Sequence, residues 1–276
     1  MLTTKRTPLE TERVKKTFLI FLTCIACLQV FSQKKNKLIN GLYLQWGYNT
    51  EWYTRSNIHF NTMVDGVLHK FTIIKARAKD RDGLSSLYKK TLQISIPQYN
   101  YRVGFYLNPN HSRAIEINYD HAKYIVTDYR TVHIRGMIGQ RYYDQDTIFF
   151  FNQVHFEHTN GANFYQVNYV HQLPLKKHQG KTFISAVWKA GAGILIPKTD
   201  VTLSGKRVDN RFKVSGYCLG IEGGARLFLS KRFFLEATGK AGFANYTNAL
   251  GLGNGRVNHS FGYLEMIGTI GYEIHF

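Results

Sequence analysis

Eight segments of the chain alternate apolar and polar residues with period two. That is the pattern of a strand whose successive side chains point to opposite sides of a sheet. Leu42, Leu44, Trp46 and Tyr48 alternate with Tyr43, Gln45, Gly47 and Asn49. The same alternation runs through 98–107, 115–120, 165–173, 184–196, 217–229 and 233–243, with His171 interrupting the apolar side of the fourth segment. In the last segment, Leu264, Met266, Gly268, Ile270, Tyr272, Ile274 and Phe276 make a wholly non-ionic face. Its opposite face carries Glu265 and Glu273.

The connections alternate as well. Those at 108–111, 176–180 and 230–231 are short, and those at about 51–91, 129–161, 197–211 and 247–257 are long. Eight strands joined in this way predict an all-β, antiparallel up-and-down transmembrane barrel with short periplasmic turns, long extracellular loops and both termini on the periplasmic side. Inside the first long connection Phe71–Ala76 reads as a further strand. In the second, Val132–Ile134 can pair with Ile148–Phe151 across 140–146. Such pieces either raise hairpins above the membrane or bring the barrel to ten strands. A soluble two-sheet sandwich, burying the apolar side between its sheets, is the competing reading.

No segment after residue 32 is long and apolar enough for a spanning helix. A membrane protein built of strands must close, because lipid offers no partner to open backbone groups. The opposite faces then point inward and carry Arg102, Glu116, Lys189, Glu222, Arg226, Glu236, Lys240, Glu265 and Glu273. An eight-stranded barrel is just wide enough for side chains to fill. Charges enclosed there must pair. The interior is therefore predicted to be a salt-bridged plug, not an aqueous pore.

Lys15-Lys16 precedes an uncharged run from Thr17 to Ser32 of about 15 residues, shorter than a span needs. This predicts a signal peptide over 1–32, cut before Gln33, and the barrel over 33–276; the stretch before Lys15 is long and polar for such a leader, which points to Val14 as an alternative start. Cys24 and Cys27 leave with the signal, so Cys218 alone remains and no intramolecular disulfide can form.

The spacing Thr269-x-Gly271-x-x-Ile274-x-Phe276 resembles the C-terminal signal by which outer-membrane barrels are recognised by their assembly machinery. The resemblance implies Gly271, Ile274 and Phe276 as the assembly signal, and a Gram-negative outer membrane as the location. The mature chain as a whole resembles the small eight-stranded barrels typified by the outer-membrane protein A transmembrane domain. Ile96-Pro97-Gln98-Tyr99-Asn100, Asp120-His121-Ala122-Lys123-Tyr124 and Phe156-Glu157-His158-Thr159-Asn160-Gly161 look like strings from uncharacterised barrel proteins of Bacteroidetes-type bacteria. That likeness implies fold and location, and no activity.

The formal charge is +18. Lys75, Arg77, Lys79 and Arg81 cluster in the first long connection, and Arg130, Arg135 and Arg141 in the second. The compartment argues against nucleic acid. Lipopolysaccharide phosphates face these loops, and Arg suits phosphate through its planar fork. A merely solvated basic surface is the bland alternative. His155-Phe156-Glu157-His158 puts His155 and Glu157 on one strand face and His158 on the other, which does not make converging metal ligands. Some barrel lipid-A deacylases pair His-x-Ser. Here Ser260 follows His259 directly, so the two side chains diverge. The expectation is a monomeric, non-enzymatic barrel, structural or surface-binding, with lipopolysaccharide, outer-membrane lipid and the barrel assembly machinery as partners. No catalytic residue, cofactor or metal is assigned. An enzyme acting on lipid A is the runner-up.

Overall fold

A computed structural model describes residues 38–81, 98–148, 150, 154–158, 160–178 and 181–276. The expected signal peptide and its cleavage point lie outside the described residues, as do Phe149 and Phe151. The described chain is built from strands. β1 (Gly41–Tyr53), β2 (Ser56–Val64), β3 (Val67–Ala76) and β4 (Ala78–Lys79) come first, then β5 (Asn100–Tyr106), β6 (Arg113–Asp120) and β7 (Tyr124–Val126). β8 (Thr131–Ile138), β9 (Arg141–Ile148), β10 (Val154–His158), β11 (Phe164–His178) and β12 (Lys181–Leu195) follow. β13 (Thr199–Leu203), β14 (Lys206–Asp209), β15 (Gly216–Phe228), β16 (Phe233–Leu250) and β17 (Arg256–His275) complete the chain.

Eight of these form a closed antiparallel cycle, β1-β5-β6-β11-β12-β15-β16-β17. β1 seals it by pairing with β17 from Gly41↔His275 to Tyr53↔Tyr263. Closure leaves no strand edge facing lipid. The count is eight and not ten, because β2 meets β17 only above the ring, at Arg256–His259. Leu44, Trp46, Ile117, Val167, Trp188, Ile221, Leu264 and Met266 all stand exposed on the outer wall. Near its upper end Tyr101, Tyr119 and Tyr165 sit opposite one another on successive strands, an interfacial aromatic belt. An apolar outer wall around a charged interior, with short turns at one end, makes this a bacterial outer-membrane barrel.

The interior is a network of buried ion pairs. Arg102 reaches Glu222 at 2.9 Å, Glu116 at 3.1 Å and Asp120 at 3.6 Å. Lys189 reaches Glu236 at 2.7 Å, Glu116 at 3.0 Å and Glu222 at 3.3 Å. Arg226 holds Glu236 at 2.7 Å and lies 4.1 Å from the Phe234 ring centroid. Lys240 holds Asp120 at 2.6 Å. Asp120 and Glu51 join the inward set predicted from the alternation.

The long connections are not open loops. β2, β3, β8 and β9 extend the β17 edge upward, while β14-β13-β10-β7-β4 form a second sheet. The two share one apolar core that includes Phe60, Phe71, Ile73, Ile134, Tyr124, Phe156, Val201 and Leu203. Phe60 stacks on Phe71 at 4.8 Å and meets Phe156 edge-on at 5.6 Å. The barrel thus carries a folded cap. Its hairpins turn at Asp65-Gly66 (φ 52° and 75°) and Ser204-Gly205 (φ 52° and 78°). Two left-handed residues in a two-residue turn match the twist of the flanking strands. The second connection does hold a hairpin, β8–β9, but in another register: Val132–Ile134 pair with Gln145–Thr147, and Ile148 lies opposite Thr131. Its turn falls at Gly139-Gln140, so 141–146 is strand and not loop.

Candidate functional site

The cap's surface carries a basic cleft in two joined parts. The upper part, about 580 Å³, is lined by Arg55, Lys75, Arg77, Arg130, His133 and Tyr129, among others. The lower part, about 510 Å³, is lined by Arg55, Asn57, His59, Lys75, Asn245, Asn258, His259 and Ser260. Arg55 and Lys75 border both, and among the described residues no carboxylate lines either.

Local backbone geometry aims these cations. Between Ser56↔Ala76 and Ile58↔Ile73 the β2–β3 register slips, so that Ile74 and Lys75 together oppose Asn57. Lys75 takes φ 52°, and its amide donates to Asn57 Oδ1 at 2.8 Å. A bulge of this kind re-aims a side chain out of the ladder. Tyr129, which also lines the cleft, has φ 58°. Left-handed non-glycine residues are uncommon and persist where surrounding structure holds them. Arg55 sits in the break between β1 and β2, which brings it beside Lys75.

The predicted basic residues therefore divide. Lys75, Arg77 and Arg130 converge on the cleft, although the last lies in a different connection from the first two. Lys79 lies in β4 and Arg81 stands 3.9 Å from Glu157, so neither lines it. Arg135 is paired with Asp144 at 3.2 Å, and Arg141 lies over the Tyr143 ring at 5.3 Å. Arg55 was missed, since it belongs to no cluster in the sequence.

Beneath the lower part lies a buried histidine pair. His259 Nε2 is 3.0 Å from His158 Nε2. His259 Nδ1 is 3.4 Å from Ser56 Oγ, and His158 Nδ1 is 3.2 Å from Thr199 Oγ1. Tyr246 stacks on both rings, with Tyr124, Phe156 and Phe261 around them. Burial pushes His158 down to about 3. Burial, and then its neighbour His158, push His259 well below the ordinary imidazole value. Ser260 is exposed and His259 buried, so the two diverge as alternation requires. The serine that does meet His259 is Ser56, itself buried.

His155 meets its same-face neighbour Glu157 and also Asp128, from a distant bend. Its Nδ1 is 2.9 Å from Asp128, and its Nε2 is 3.4 Å from Glu157. Asp120 faces Lys240 inside the barrel, and His121 stacks on Tyr99 at 4.9 Å. At the other end of the barrel, Gly271 faces inward beneath the Phe234 ring, which lies 2.1 Å from where a Cβ would stand. Ile274 and Phe276 are exposed on the outer face.

No protein-family model and no curated protein matches the chain. Solved structures similar to it include the outer membrane protein OprG from Pseudomonas aeruginosa, at 12% identity and a TM-score of 0.40, covering 86% of this chain and 98% of that one. Ail, the attachment invasion locus protein of Yersinia pestis, is similar at 13% identity and a TM-score of 0.34, covering 86% and 99%. The outer membrane protease OmpT from Escherichia coli is similar at 7% identity and a TM-score of 0.40, covering 86% and 97%. The fold is fixed by the closed strand cycle and the two-sided patterning of its strands.

Proposed function

We propose that this chain is a non-enzymatic outer-membrane barrel whose cap holds lipopolysaccharide through phosphate groups in the basic cleft. The observation that carries this reading is the convergence of Arg55, Lys75, Arg77 and Arg130 from separate segments, with no carboxylate among the described lining residues. The cleft also stands at the right height. Asn245, in its lower part, donates to the Tyr217 hydroxyl at 3.1 Å, and Tyr217 is exposed on the outer wall. Tyrosines of that kind mark the headgroup level, so the cleft opens where lipid phosphates lie.

The buried histidines argue against the hydrolase reading. A general base works best with a pKa near the operating pH, and His259 is held far below it. Its second nitrogen meets His158 instead of a carboxylate.

The test compares binding of intact lipopolysaccharide and dephosphorylated lipid A to the detergent-solubilised barrel. Intact lipid should bind better, and its advantage should shrink as salt rises, because exposed charges are screened within about 8 Å at physiological ionic strength. The triple variant Lys75→Gln, Arg77→Gln, Arg130→Gln should lose that advantage. Arg135→Gln with Arg141→Gln should keep it, since those two side chains lie outside the cleft. Equal binding of both lipids at low salt would overturn the reading. Release of fatty acid from lipid A by the wild type, and not by Ser56→Ala, would favour the enzyme instead.

A further inference from the structure

A second cluster lies at the opposite, periplasmic mouth. His111, on the turn after β5, and Glu273 and His275, at the end of β17, each bring one donor atom within 4.8 Å of the other two. The sequence gives no hint of it, because the turn and the strand end meet only through the closing seam. β1 alone separates β5 from β17. Asn40, just ahead of β1, ties both sides: its carbonyl accepts from His111 Nε2 at 3.2 Å and from the Phe276 amide at 3.4 Å.

The three side chains are held in place before any ion arrives. Glu273 is buried, and its Oε1 receives the Tyr106 hydroxyl and Arg226 Nη1. Its Oε2 faces His275 Nε2 at 3.1 Å. His111 lies flat on Tyr106, with centroids 4.3 Å apart and planes within 6°, and meets the His275 ring edge-on at 4.7 Å. The bond to the Asn40 carbonyl places the proton of a neutral His111 on Nε2 and leaves Nδ1 with its lone pair. Outer partners of this kind fix the tautomer and orientation of metal-binding histidines. Two imidazoles and a carboxylate are a donor set for Zn²⁺ and related ions. A cavity of about 810 Å³ opens beside the three side chains, with room for water in a fourth position.

We propose that His111, Glu273 and His275 form a divalent transition-metal site, with Zn²⁺ the fitting ion, that clamps the β5–β6 turn to the end of β17 across the barrel's seam. Lys231 and Arg232 line the same cavity. Their charge opposes a cation, so the affinity should be modest. The experiment titrates tag-free, refolded full-length barrel with ZnCl₂ by calorimetry. One ion per chain should bind the wild type at the site. His275→Ala and His111→Ala should each weaken it at least tenfold, the lower end of what loss of even an outer partner costs. The double variant should abolish it, and His133→Ala on the cap should leave it intact. Zn²⁺ should also raise the unfolding temperature of the wild type and not of the double variant, since an ion bound only by the folded state stabilises that state. His275 is about half exposed, so its variant should fold and decides the matter if His111→Ala does not. Equal Zn²⁺ affinity in the wild type and the His275→Ala variant, or no binding by the wild type, would overturn the proposal.

Discussion

Ala190 and Lys189 are neighbours on β12, and the structure sends them to opposite environments. Ala190 lies on the outer wall opposite Tyr169 and Ile221, with Trp188 as its same-face neighbour. Arg at this position has no partner in lipid, and Ala190→Arg should cost about 2–4 kcal/mol if the site lies near the bilayer midplane. Lys189 is buried among Glu116, Glu222 and Glu236, at 3.0, 3.3 and 2.7 Å. Lys189→Met leaves those carboxylates short of one cation. Breaking a buried pair from one side costs about 3–5 kcal/mol. Size alone does not separate the two variants, but coupling does. Adding Glu116→Gln to Lys189→Met removes a carboxylate that had lost one of its two cations and kept only Arg102, so the double variant should recover about 0.5–3 kcal/mol relative to additivity. Adding Glu116→Gln to Ala190→Arg should be additive, because the wall of the barrel separates them. Urea titration in lipid vesicles, followed by tryptophan fluorescence and heat-modifiable gel mobility, measures the wild type, the three single variants and the two double variants. A neutral Ala190→Arg would show that Ala190 does not face lipid. Strict additivity of Lys189→Met and Glu116→Gln would show that the interior charges do not act as a network.

Two further outcomes follow from the cap and the wall. A histidine with a lowered folded pKa gives stability that is complete above its unfolded value near 6.5 and is lost as pH falls, because only the unfolded chain readily takes the proton. His158 is pushed to about 3, so lowering the pH from 6.5 to 5 should cost about 2 kcal/mol there, and His259, also pushed down, acts in the same direction. Hydrogen exchange should show the cap loosening before the wall at pH 5, less so in His158→Phe; unchanged cap protection from pH 7.5 to 5 would refute this. Gly271→Val should drive the Phe234 ring from its seat, 2.1 Å from the new Cβ, costing about 1–3 kcal/mol as overpacking does. Phe234→Ala should make Gly271→Val nearly silent, and equal penalties in both backgrounds would refute the contact.

The wall of the barrel was legible in the sequence because its two environments act residue by residue. Lipid outside and enclosed charge inside both impose period two, so Leu264 to Phe276 and Glu265 to Glu273 sort themselves with no knowledge of which strand lies beside them. The paired plug was legible for a related reason: nine inward charges of both signs cannot be enclosed without partners. What only the tertiary structure decided was non-local. Phe71–Ala76 and Val132–Ile134 announced strands, but not that β3 pairs with β8 or that β10 pairs with β13 to build a second sheet over the barrel. Nor could charge clustering show that Arg130 joins Lys75 and Arg77 while Arg135, five residues on, spends its charge on Asp144. Arg55 entered the cleft through a break between strands, and His158 found His259 across 101 residues. The alternation of a strand records which side of a sheet faces what, a property of each residue and its medium. Which sheet lies opposite is a property of two distant segments at once, and it is set only when the chain closes its core.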